Sequence, residues 1–207
     1  MTEDGSAKFV TWPSDEEIKV AFEAYTTALG KVAFAWNFLH ERLGRVFVAV
    51  TGMDRDIALA IWYSTDSDRT KQLMLRAAVL ASKPDRWLPR LPKARDDLVW
   101  LADRIISLGD ARNNAVHAPC TLIIDSDITQ MAASYFSGHD RAKKLRGKDI
   151  LVEFDWFEAW SEDLSRFCEA ADAALNFERD PWPDRPEQPG RRGRKDLLTP
   201  RPPPRTV

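Results

Sequence analysis

The chain has 207 residues, 44% of them hydrophobic and 30% charged, with a net charge of −2, which suffices for one good core and is too short for two comfortable ones. The near balance of charge leaves no overall electrostatic footprint for nucleic acid, which disfavours a processive or non-specific RNA binder but leaves room for a small local site. No membrane span is expected because no run of 18 apolar residues occurs; the opening MTEDGSAKFV does not read as a secretory signal, and Cys120 and Cys168 make no disulfide framework, so the expectation is a cytoplasmic protein.

Residues 1–13 read as a short polar lead. Ser14-Asp15-Glu16-Glu17 then forms a capping-box sequence, with acids favoured at a helix start by the dipole. The helix it opens is predicted to run to Val50 and end at Thr51-Gly52, with Ile18, Tyr25, Leu29, Val32, Trp36, Leu39, Leu43, Phe47 and Val50 on one broad face. Phe34 and Phe38 fall on the opposite face, and two apolar faces mark a helix that is either central or in contact with a second subunit. A shorter helix is predicted over 54–63. Ser67 caps another over 68–82, in which Leu73, Ala77 and Leu80 recur at helical spacing. Residues 83–92 hold three prolines and read as a loop, with Trp87 as a lid on the core.

The next helix, over 93–117, carries the chemical anomaly of the sequence. Leu98, Leu101, Ile105 and Leu108 share one face with Arg112 and Val116, so an arginine continues the stripe that should face the core. A charge pointed inward needs a partner, a cleft or an anionic ligand. Asn113 and His117 are four residues apart and stack on an adjacent face with Asp110, and Pro119 ends the helix.

Arginine followed by asparagine, three more residues and histidine, late in a helix of an all-helical domain, resembles the R-x(4–6)-H signature of the HEPN superfamily. The segment that carries the likeness is Arg112–His117, RNNAVH, and the resemblance extends over about residues 14–177. It implies a metal-independent endoribonuclease, fitting a toxin or defence component. Arg112, Asn113 and His117 would be the catalytic residues and RNA the substrate, and an antitoxin or another protein would be a partner. It also implies a homodimer, because one Arg–His pair supplies one histidine and transesterification is best served by both a base and an acid; the Phe34 and Phe38 face and the helix end at Arg112–Pro119 are the surfaces expected there. The same residues also suit a non-catalytic helical module that binds a nucleotide or a protein.

After Pro119 the pattern changes. Residues 121–124 and 130–136 read as a hairpin around a turn at 126–129, with 150–154 as a candidate third strand. Arg141, Lys143, Lys144, Arg146 and Lys148 form the densest basic run of the body: either a solvated loop or a phosphate-contacting, RNA-binding arm beside the motif. A helix over 155–177 follows, with Trp156, Trp160, Leu164, Phe167 and Leu175 inward. Residues 180–207 hold eight prolines, seven basic residues and four acids, and read as a disordered tail of polyproline II character, with Trp182 able to pin its start to the body. Deleting this tail is expected to leave cooperative unfolding intact.

Other chemistries fit poorly. His117 and Cys120, with His139 and Cys168, lack a second closely spaced pair of metal ligands, so neither metal nor other cofactor is expected. There is no phosphate-binding glycine-rich loop and no nucleophile elbow. The expected architecture is an all-α antiparallel bundle of about five helices over 14–179, with a small β-hairpin or irregular insertion after the motif.

Overall fold

A computed structural model describes residues 12–83, 89–125, 128–134 and 138–198. The fold is an all-α helical bundle with one small antiparallel hairpin. The helices are α1 (Asp15–Thr51), α2 (Arg55–Tyr63), α3 (Asp68–Ala81), α4 (Ala94–His117), the short α5 (Asp140–Lys144) and α6 (Ile150–Asn176). Strands β1 (Cys120–Asp125) and β2 (Ile128–Ala133) lie between α4 and α5, paired from Cys120 opposite Ala133 to Asp125 opposite Ile128. Trp87 and residues 1–11 lie outside the described residues, and no described helix is long and apolar enough to cross a membrane.

Local chemistry sets the boundaries. Ser14 and Glu17 form the reciprocal capping box at the start of α1, and Gly52, at φ 60°, closes the other end in the left-handed conformation. Asp54, Ser67 and Asp149 cap α2, α3 and α6 with side-chain acceptors. α1 is the central element, packed on α2, α3, α6 and β2. Its Leu39, Leu43, Val46 and Val50 are fully buried with Trp62, Leu75, Leu98, Leu101, Ile105 and Leu164. Each large side chain withdrawn from water contributes about 1.5–3 kcal/mol.

Three expectations are corrected. Residues 150–154 are the first turns of α6, not a strand, because the Asp149 carboxylate accepts from the amides of Leu151 and Val152 and starts the helix there. The buried stripe of α3 is Gln72, Leu75 and Val79, while Leu73 and Leu80 are exposed. Gln72 can occupy an inward position because His40 of α1 meets its amide. Finally, residues 180–198 do not behave as a loose tail but lie along α4 and α6. Trp182 Nε1 donates to Asp97 Oδ2 at 2.7 Å, and Trp156 Nε1 to the Pro189 carbonyl at 2.8 Å. Arg185 pairs with Asp97, Arg191 with Glu153, Arg192 with Asp155 and Arg194 with Asp149.

At Gly109, one turn before Arg112, α4 closely approaches the Trp36 side chain of α1. A Cβ there would stand 3.2 Å from Trp36 Cη2 and 3.9 Å from Gln72 Nε2. Gly109→Ala is expected to be close to neutral: a shift of the indole by a few tenths of an ångström is offset by about 1 kcal/mol of helix propensity. Gly109→Leu has no such room and should cost about 1–3 kcal/mol by overpacking. Thermal melts of the two variants check this, and equal melting temperatures would contradict the close approach.

Candidate active site

Helical side chains lean back toward the N-terminus of their own helix, so Arg112 lies over the turn that Gly109 keeps narrow. The residue is half-buried, and its Nε is buried with no hydrogen-bond partner among the described residues. Its Nη1 donates to Asn113 Oδ1 at 3.2 Å. Asn113 therefore touches the guanidinium directly, and it also marks where α5 arrives: Arg141 Nη1 reaches the Asn113 carbonyl at 3.5 Å.

His117, the last residue of α4, is exposed. Its pKa is held below the ordinary histidine value, first by partial desolvation and then by the positive charges of Arg112 and Arg141. The structure thus brings Arg112, Asn113, His117 and Arg141 to one corner, where α5 packs on the end of α4. The rest of the basic run differs in setting. Lys143 pairs with Asp140 at 3.1 Å and Lys148 lies 3.8 Å from Glu153, while Lys144 and Arg146 sit on the exposed side of this short segment. His139, the third histidine of the chain, caps α5 by accepting from the Arg141 amide at 3.3 Å.

In the interior is a residue that sequence reasoning missed. His40 of α1 is 8% exposed, with its ring 4.5 Å from that of Trp36. Its Nδ1 lies 3.5 Å from Asp68 Oδ1, and its Nε2 lies 3.4 Å from Gln72 Nε2. Asp68 also accepts from Trp36 Nε1 at 2.8 Å. Burial pushes the His40 pKa down to about 4; Asp68 opposes this, and the charges of Lys71 and Arg112 add to it. The available signal was its spacing, one turn after Trp36 on the inward face.

Cys120 Sγ lies 3.1 Å from the Tyr25 hydroxyl, while Cys168 is fully buried in α6 with its thiol pushed up by desolvation. Among the described residues no three His, Cys, Asp or Glu side chains group as metal ligands would. Phe34 and Phe38 stack at 6.0 Å and are exposed beside a groove of about 620 Å³ between α1 and α6. At 100° per residue they point away from the Trp36–His40 face of α1, which meets α3 and α4, so they do not share a surface with His117.

No protein-family model matches the chain, and neither does any curated protein or solved structure.

Proposed function

We propose that the chain is a HEPN-like, metal-independent endoribonuclease acting through Arg112, Asn113 and His117. The observation that carries this reading is the convergence of an exposed imidazole with two guanidiniums, one of them half-buried with an unpartnered Nε. RNA brings its own nucleophile, the 2′-OH, so no metal is required to generate one. His117, its pKa lowered by partial desolvation and by its cationic neighbours, takes the 2′-OH proton. The 2′-oxygen attacks the adjacent phosphorus, the bond to the 5′-oxygen breaks, and that oxygen leaves with a proton. The ends produced are a 2′,3′-cyclic phosphate and a 5′-OH. Arg112 holds the phosphate and, with Arg141, stabilises the negative charge that grows on its oxygens. Asn113 orients the Arg112 guanidinium.

The acid for the leaving group comes from His117 of a second copy in a homodimer built around the α4 ends. Phe34 and Phe38 belong to a different face and are not part of this contact.

Labelled RNA incubated in chelator with wild type, His117→Ala and Arg112→Ala tests the proposal. Both variants should lose cleavage by about 10²–10⁴-fold. Both should melt within a few degrees of wild type, because His117 is exposed and Arg112 gives up a desolvated charge. Cleavage that survives in His117→Ala, or that appears on no RNA, overturns it in favour of a non-catalytic binding module.

A further inference from the structure

The side of α1 turned away from Trp36 and His40 borders a groove of about 620 Å³ that α6 closes on its far side, a volume in the range of small-molecule pockets. Phe34 and Phe38 form one wall, their rings close to parallel at 11° with centroids 6.0 Å apart. The Arg42 guanidinium lies 4.3 Å from the Phe38 centroid and covers one side of that ring. Phe34 has no such cover: it is 72% exposed, an aromatic surface that costs free energy as long as it faces water. Gly30, one turn before Phe34, adds no side chain to the groove, and a Cβ there would meet nothing within 4 Å.

Two further observations define the chemistry of an occupant. Ser165 of α6 also lines the groove; it is 3% exposed, and its hydroxyl is buried with no hydrogen-bond partner among the described residues. A purely apolar guest, such as a phenylalanine or leucine knob of another protein, would leave that hydroxyl unsatisfied, whereas a guest with a polar group supplies the missing bond. The charges around the groove are balanced. Arg42 pairs with Glu169 and Arg166 with Glu162 and Asp163, while Lys31 on the α1 wall is matched in charge by Glu158 on the α6 wall. An ionised guest therefore finds no net opposite charge to offset its own desolvation.

We propose that this groove binds a neutral, planar aromatic molecule of about two fused rings, which packs on Phe34 over Gly30 and forms a hydrogen bond with the Ser165 hydroxyl through a polar substituent. The groove does not share a surface with His117, so this ligand site stands or falls independently of the ribonuclease reading.

The probe is 2-naphthol, compared at pH 7 with naphthalene, which lacks the hydroxyl, and with 2-naphthoate, which is an anion. In ¹⁵N–¹H spectra of the full chain, 2-naphthol should shift the amides of Gly30, Phe34 and Ser165 saturably and leave those of Asn113 and His117 unmoved. It should bind about 3- to 10-fold more tightly than naphthalene, the worth of one hydrogen bond, and more tightly than 2-naphthoate. Ser165→Ala removes a buried hydroxyl that has no partner, so it should melt at or above wild type while bringing 2-naphthol and naphthalene to equal affinity. Gly30→Leu has open space around it and a better helix former in place, so it should fold as wild type does and weaken both neutral probes by about tenfold or more. Groove amides that do not respond overturn the proposal. So do equal affinities for 2-naphthol and naphthalene in wild type, a preference for 2-naphthoate, or a hydroxyl preference that survives Ser165→Ala. A self-association that Phe34→Ala abolishes and that excludes 2-naphthol assigns this face to a second copy and overturns it as well.

Discussion

Removing residues 180–207 is expected to destabilise the fold by about 2–4 kcal/mol, the reverse of what the composition of that segment suggests. Asp97 is 5% exposed and Glu153 8%; Asp97 pairs with this segment, and Glu153 with this segment and with Lys148. Asp97 accepts from Trp182 Nε1 and pairs with Arg185; Glu153 receives both Nε and Nη2 of Arg191. Trp182 also packs edge-on against Phe167 at 6.2 Å, and the Arg191 guanidinium lies 4.4 Å from the Trp156 ring. Truncation re-exposes the two carboxylates to water, so the loss is smaller than for a charge stranded in the core, where 3–5 kcal/mol would be usual. A chain of this size should then melt roughly 5–15 °C lower. A melting temperature within two degrees of wild type would mean that these bonds exchange freely with water. Asp97→Asn in the full chain isolates this carboxylate: it keeps the shape but leaves one acceptor oxygen for the two donors, Trp182 Nε1 and Arg185 Nε.

The same segment marks where sequence reading stops. Its prolines and arginines say that it cannot build a core of its own. They do not say that Asp149, Glu153 and Asp155 stand together on the first turns of α6, in reach of three successive arginines. That match exists only once α6 is known to begin at Ile150, and the alternation of Ile150, Val152 and Phe154 imitates a strand unless the Asp149 cap is weighed first. The long helices were legible because their caps and 3.6-residue stripes agree, as in Ser14–Glu17 and in the Leu98–Leu108 face. The Arg112–Asn113–His117 group was legible for the same reason: helical spacing alone puts it at one end of α4. Arg141 was legible only as one of a run of five basic residues and His40 not at all, because each takes its place through a tertiary packing, of α5 on α4 and of α1 on α3. A hydrophobicity stripe also misleads where a polar pair is buried. Gln72 takes the inward place that periodicity gives to Leu73, and only the presence of His40 across the interface makes that affordable.

Acid should unfold the protein earlier than its carboxylates alone would require, and His40 should be the cause. Its pKa falls from the ordinary 6.5 to about 4 in the folded chain, chiefly through burial. Between those values the unfolded state binds a proton at this residue and the folded state does not, so stability rises with pH across the window. The stabilising contribution is complete above about pH 6.5 and is lost as pH falls toward 4, an effect of about 3 kcal/mol. His117 adds little to this: it is exposed, and its depressed pKa is screened by solvent. Urea unfolding of wild type and His40→Gln at half-unit steps from pH 4.5 to 7.5 measures the effect. The wild-type curve should slope upward through the window, and the variant, which keeps a polar side chain beside Gln72 but cannot take up the proton, should be nearly flat there. Parallel curves would mean that His40 titrates alike in the folded and unfolded states, with Asp68 cancelling the effect of burial.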